Sequence, residues 1–201
     1  MKRLVLALLS GAFLLTGCVI THAPGFHSGY ARLPDLERAK IRFLPVNEPI
    51  STVANGLLYA VTAQSLLQTL PANDTTLVYL WAPYCHGRGC ASLQSVEERC
   101  RRQGYRFQAV VEYYADMEQI NLQPPLEHPL LAINHPYYRS DYAPTYVRLF
   151  QAALRQDRPL PDSLQNARYY VFHGHTFVRA CNALPGVSPQ FLPAQPLRSF
   201  H

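Results

Sequence analysis

The sequence predicts an α/β domain, a mixed central sheet flanked by helices. Three segments carry the prediction. Thr75 to Trp81 is a continuous run of β-branched, aliphatic and aromatic residues, the mark of a parallel strand buried on both faces. From Cys90 to Gln103 the pattern turns helical: Cys90, Leu93, Val96 or Glu97, and Cys100 recur at three- to four-residue spacing, and Tyr105 to Tyr113 reads as the next strand. That is a strand–helix–strand unit. Tyr169 to Phe172, a His173-Gly174-His175 turn and Thr176 to Cys181 form a hairpin, which makes the sheet mixed.

The other elements follow in chain order. Gly56 to Val61 is a short strand candidate, and Thr62 caps a helix through Leu66, Leu67 and Leu70 that Pro71 stops. Asn73-Asp74 is turn chemistry, and Pro83 ends the buried strand. Glu97, Glu98, Arg101 and Arg102 form the wet face of the next helix, with Gly104 as its stop. Residues 116–141 hold Pro124, Pro125, Pro129 and Pro136 and read as a proline-rich insertion with one helical turn at Asp116 to Ile120. Asp141 or Ser140 is placed to cap a helix through Val147, Phe150 and Leu154. His22, His27, His128 and His135 fall in loops and tails and are expected to be solvated. The pairs Tyr113-Tyr114 and Tyr137-Tyr138 are expected to pack strands and loops.

Of 201 residues, 48% are apolar and 15% charged, which excludes wholesale disorder. The net charge of +5 is mild, and its only tight runs are Lys2-Arg3 and Arg99-Cys100-Arg101-Arg102, so no nucleic-acid partner is expected. There is no glycine-rich phosphate loop and no Gly-x-Ser-x-Gly elbow, and no motif brings a serine, a histidine and an acid together.

The first residues read as an address. Lys2-Arg3 is a positive start, and Leu4 to Leu15 is an apolar stretch too short for a membrane span. Leu15-Thr16-Gly17-Cys18 resembles the lipobox of bacterial lipoproteins. That resemblance implies a signal peptide over residues 1–17, a diacylglyceryl-modified and acylated Cys18, and a partner membrane reached through the N-terminal lipid. The location it implies is the bacterial cell envelope, with the periplasmic face of the outer membrane favoured by Val19. Residues 18–45 then read as a tether, 46–184 as the domain and 185–201 as an extended tail.

Four cysteines remain: Cys85, Cys90, Cys100 and Cys181. In an oxidising compartment they admit three pairings. The economical one joins Cys85 to Cys90, leaving Cys100 and Cys181 either paired or buried as free thiols.

The run Leu77-Val78-Tyr79-Leu80-Trp81-Ala82-Pro83-Tyr84-Cys85 resembles the thioredoxin superfamily, in which a central strand ends in a Trp-Ala-Pro type run and a cysteine. The resemblance spans roughly residues 57–183 and implies a thioredoxin-like three-layer sandwich. It implies thiol–disulfide exchange on a protein thiol or disulfide substrate, with Cys85 as nucleophile, Cys90 as resolving cysteine, and Trp81, Pro83 and Tyr84 facing the substrate. A helix N-terminus beside Cys85 would lower its pKa, with His86 and Arg88 adding positive charge. No cofactor and no metal site is expected; His173 and His175 lie at a turn pointing away from the cysteines. The chain departs from the family in two ways. Four residues separate the cysteines instead of two, and Gln165-Asn166-Ala167-Arg168 supplies no proline before the strand at Tyr169. Pro144-Thr145 has the right local chemistry but lies far earlier. A static Cys85–Cys90 disulfide in a non-catalytic binding or scaffold module is therefore the alternative reading.

Overall fold

The computed structural model describes residues 26–46, 48, 50, 57–84 and 92–185. Seven strands form one mixed sheet: β1 (Ile41–Phe43), β2 (Leu58–Val61), β3 (Thr75–Trp81), β4 (Arg106–Val111), β5 (Leu131–Ile133), β6 (Tyr169–His173) and β7 (Thr176–Cys181). Their order is β1-β2-β5-β4-β3-β6-β7. The first five run parallel, and β6 and β7 are antiparallel.

The helices are α1 (Asp35–Arg38), α2 (Ala63–Thr69), α3 (Leu93–Arg102), α4 (Met117–Asn121) and α5 (Ala143–Leu154). The period-two alternation of the strands sorts them into two layers. Val78, Leu80, Val110, Tyr170 and Phe172 meet Leu66 of α2 and Tyr146, Phe150 and Leu154 of α5 on one face. Leu77, Tyr79, Trp81, Ala109 and Val171 meet Leu93, Val96 and Cys100 of α3 and Met117 and Ile120 of α4 on the other. β3 is buried on both sides, as its unbroken apolar run requires.

Local chemistry starts and stops these elements where the residues allow. The Thr62 hydroxyl accepts the Ser65 N–H at 3.1 Å and opens α2. Gly104 takes φ +72° after α3. α3 itself begins at Leu93, because Ser92 is its N-cap and accepts the Ser95 N–H at 3.2 Å. The helix expected to start at Cys90 therefore starts three residues later.

Two expectations are corrected. Residues 26–45, assigned to a tether, pack onto the domain. β1 adds to β2 in parallel, and the Ser28 carbonyl accepts the Tyr114 N–H at 2.6 Å. Gly29 makes this approach feasible: its φ is +78°, and a Cβ there would sit 2.6 Å from the Ala115 Cα. The proline-rich insertion holds its expected helical turn, as α4, but also contributes an interior strand, β5, between β2 and β4. Three residues are too few to register as a periodic pattern, yet Leu131, Ala132 and Ile133 are all buried. No helix among the described residues is long and apolar enough to cross a membrane.

Candidate functional site

The parallel strands deliver their C-terminal ends to one edge of the sheet, where open α/β sheets place their sites. β3 ends there in Trp81, whose carbonyl accepts the Glu112 N–H at 3.0 Å. The Trp81 ring is buried against the α3 side of the core, and Pro83 is buried too. Of the three residues expected to face a substrate, only Tyr84 is exposed, at 41%. Its ring stacks on Tyr113 at 5.0 Å and 18°. The Tyr113 hydroxyl is buried without a hydrogen-bond partner, which is a costly arrangement.

Cys85 and Cys90 lie outside the described residues, as do His86, Arg88 and Cys18. In sequence Cys85 and Cys90 fall between Tyr84, three residues past β3, and Ser92, the N-cap of α3. Cys85 thus precedes the cap by seven residues and Cys90 by two, so the helix N-terminus is further from Cys85 along the chain than the sequence pattern suggests.

Across from Leu80, no proline stands before β6; the residue at that place is Arg168. Its carbonyl accepts the Leu80 N–H at 2.9 Å, and the described peptide bonds are all trans. Pro144 sits in the first turn of α5. The Arg168 guanidinium stands 3.9 Å from the carboxylate of Glu112, a buried acid. Burial pushes the Glu112 carboxyl up and Arg168 pulls it down. Glu112, Arg148, Arg155 and Arg168 line one cleft of about 430 Å³. Nothing in the sequence pattern singled out Glu112 beyond its being an acid at the end of an apolar strand.

The same edge holds a second cluster that no motif announced. The Ser28 hydroxyl donates to Asp141 and lies 3.4 Å from His135 Nε2, while His27 Nδ1 meets Asp141 Oδ2 at 3.1 Å. A serine, a histidine and an acid are thus brought together after all. His135, expected in solvent, is buried among Tyr30, Phe43, Tyr114 and Tyr146, each ring within 5.6 to 5.8 Å of its own. The arrangement is not that of a nucleophilic triad. Ser28 is fully buried, and serine and carboxylate share one side of the imidazole while Nδ1 has no partner. Asp141, expected as a helix cap, spends its carboxylate here, and α5 opens on Tyr142 with no side-chain cap. The cluster fastens the N-terminal segment to the loop before α5.

Of the remaining cysteines, Cys100 is buried and Cys181 part-exposed. Cys100 and Cys181 are both free thiols. Cys100 is fully buried on α3, where burial, followed by the Glu97 charge, pushes its thiol up to about 12. No group of three or more histidine, cysteine or acidic side chains among the described residues could hold a metal ion. His173 and His175 sit at the far edge of the sheet, with His175 Nδ1 against the Leu67 carbonyl at 2.6 Å. Comparisons with protein-family models, with curated proteins and with solved structures found no match.

Proposed function

We propose that this chain is a lipid-anchored envelope protein with a thioredoxin-like domain, in which Cys85 and Cys90 carry out thiol–disulfide exchange. The observation that carries the reading is position. The cysteine-bearing segment joins the end of the central strand β3 to the cap of α3, on the edge where the parallel strands finish. The free state of Cys100 and Cys181 supports it, since neither engages another cysteine.

In the reducing direction, the Cys85 thiolate attacks a substrate disulfide, forms a mixed disulfide and releases one substrate thiol. Cys90 then attacks the Cys85 sulfur, closing the Cys85–Cys90 disulfide and releasing the second substrate thiol. Two electrons pass to the substrate; the reverse sequence oxidises a dithiol. Tyr84, exposed and stacked on Tyr113, offers an aromatic surface beside the reacting segment.

Arg168 favours a second reading. A thioredoxin-like site uses a proline opposite the cysteines, and here that place is held by an arginine whose carbonyl is already bonded to Leu80. On this reading the domain is a non-catalytic binding or scaffold module with a structural Cys85–Cys90 disulfide.

A redox titration of the detergent-extracted protein against glutathione buffers separates the two, with alkylation and mass spectrometry reporting on Cys85 and Cys90. A potential above about −230 mV marks an exchange-competent bond, and one below about −300 mV a structural bond.

A further inference from the structure

The chain enters the domain at the edge of the sheet that carries Tyr84. The Ala143 N–H donates to the Phe26 carbonyl at 2.9 Å, His27 pairs with Tyr142 in an isolated bridge, and the Ser28 N–H donates to the Asp141 carbonyl at 2.9 Å. These partners lie at the start of α5. Its first-turn Tyr146 hydroxyl donates to the Glu112 carbonyl at 2.7 Å, just beyond the end of β4. Past the other end of α5, the Gln156 side chain donates to the His175 carbonyl at 2.9 Å, at the turn between β6 and β7. α5 therefore spans the sheet from edge to edge, roughly 18 Å at 1.5 Å per residue. Phe26 and Tyr142 belong to one edge, and the β6–β7 turn to the opposite one.

At the entry point two large rings stand in solvent. Phe26 is 49% exposed and Tyr142 45%, and they stack on each other at 6.3 Å. The nearby latch of Ser28, His135 and Asp141 holds them in place from beneath. Eight residues lead from Cys18 to Phe26, a reach of at most about 29 Å when fully extended. The exposed aromatic pair thus sits at the point of the described domain closest along the chain to the anchor; the Tyr142 ring with its hydroxyl suits the headgroup level of a bilayer, and Phe26 adds apolar surface beside it.

The geometry points to this edge, led by Phe26 and Tyr142, as the surface that rests in the interfacial layer of the anchoring bilayer. The β6–β7 turn then faces away, and Tyr84 lies on the membrane side. The inference rests on the reading of Cys18 as lipidated, and it adds an orientation that lipidation alone does not fix.

Quenching by brominated acyl chains tests it. The full-length protein is purified from membranes and reconstituted into phosphatidylethanolamine–phosphatidylglycerol vesicles with brominated or plain lipid. Trp81, the single tryptophan and a buried one, supplies the baseline. Tyr142→Trp and Thr176→Trp add a reporter at the two edges, and Phe26→Trp repeats the first should Tyr142→Trp not fold. The expected result is quenching of the added emission about twofold stronger at Tyr142 or Phe26 than at Thr176. Equal quenching at both edges, or stronger quenching at Thr176, overturns the orientation. The mass of the N-terminal peptide identifies which idea has failed. An acylated Cys18 with no edge preference sinks the orientation alone, whereas an unmodified Cys18 sinks the anchor reading and the orientation with it.

Discussion

The two edges of the sheet are built on opposite terms. At the edge where β2, β3, β4 and β5 end, the buried polar groups gather: Ser28, Thr62, Ser65, Glu112, Asn134 and His135, with the unpartnered Tyr113 hydroxyl and His135 Nδ1 beside them. At the opposite edge, Thr76 alone of the buried polar residues is found among those described. That edge is closed by the β6–β7 turn, where the Gly174 N–H donates to the Asp74 carbonyl at 3.0 Å. Buried polar groups cost stability unless they are paired; the second edge leaves Thr76 Oγ1 unpaired and the first leaves two such atoms, so the first edge has given up more stability. Such concentration marks the edge available for function.

The sharpest way to break this comparison uses a glycine from each edge. Gly174 has φ +55°, and a Cβ there would stand 2.5 Å from the Ala72 carbonyl oxygen; Gly29 is similarly confined. Each alanine substitution is expected to cost about 1–3 kcal/mol in strain. Gly174→Ala should lower protection of β3 amides in hydrogen exchange. Gly29→Ala should release the Ser28 and Tyr114 amides and leave β3 nearly unchanged. If both substitutions loosen β3 equally, the edges are one cooperative unit and the contrast fails.

Of similar size, but confined to the first edge, is Asp141→Ala. It removes the acceptor for Ser28 and His27 and leaves the buried Ser28 hydroxyl short of a partner. The expected loss is about 1–3 kcal/mol in denaturant unfolding. A loss below a few tenths would show that the latch contributes only position.

The pH dependence should reveal the two buried titrating groups with opposite signs. Burial holds His135 below its ordinary value of 6.5, with Asp141 opposing. Its folded pKa therefore lies below its unfolded one. The neutral imidazole supports the fold above about pH 6.5, and that support is lost as pH falls from there through the folded value. Burial raises Glu112 above its ordinary 4.5. Its contribution is present at low pH and is lost as pH rises through 4.5 towards the folded value. His135→Gln should flatten the fall in melting temperature below pH 6.5. Glu112→Gln should raise the melting temperature at pH 7 and leave it unchanged at low pH. An unaltered profile in both variants would refute the burial argument.

The smallest effect belongs to Tyr84→Ala. The ring is part-exposed and touches the domain through its stack on Tyr113, so the cost should be about 0.5–1.5 kcal/mol at most. On the exchange reading, this substitution should reduce the rate with a protein disulfide more than with glutathione. Equal reduction with both would remove Tyr84 from substrate contact.

Much of the fold is legible in the sequence. Thr75 to Trp81 and the hairpin from Tyr169 to Cys181 match β3, β6 and β7 closely, because long apolar or β-branched runs bounded by proline, glycine and turn residues leave little choice. Thr62 was identifiable as a cap for the same local reason. β1 and β5 were not. Each has three residues and lies in a proline-bearing stretch, and each is a strand because a neighbour completes its hydrogen bonds. At the candidate site, Trp81, Pro83 and Tyr84 were singled out, but their division into buried and exposed was not.

By itself, then, the sequence determined the α/β class, the central strand and the position of Cys85 and Cys90 between that strand and the next helix. It also carried the motif at Cys18. These depend on side-chain pattern over a few turns of chain, which is local chemistry. Only the tertiary structure decided that Ser28 meets His135 and Asp141, over 100 residues away, that Arg168 faces Glu112, and that residues 26–45 belong to the domain. Those pairings come from closing the sheet and docking α5 across it. Polar residues carry no periodic signal that tells which distant partner will satisfy them.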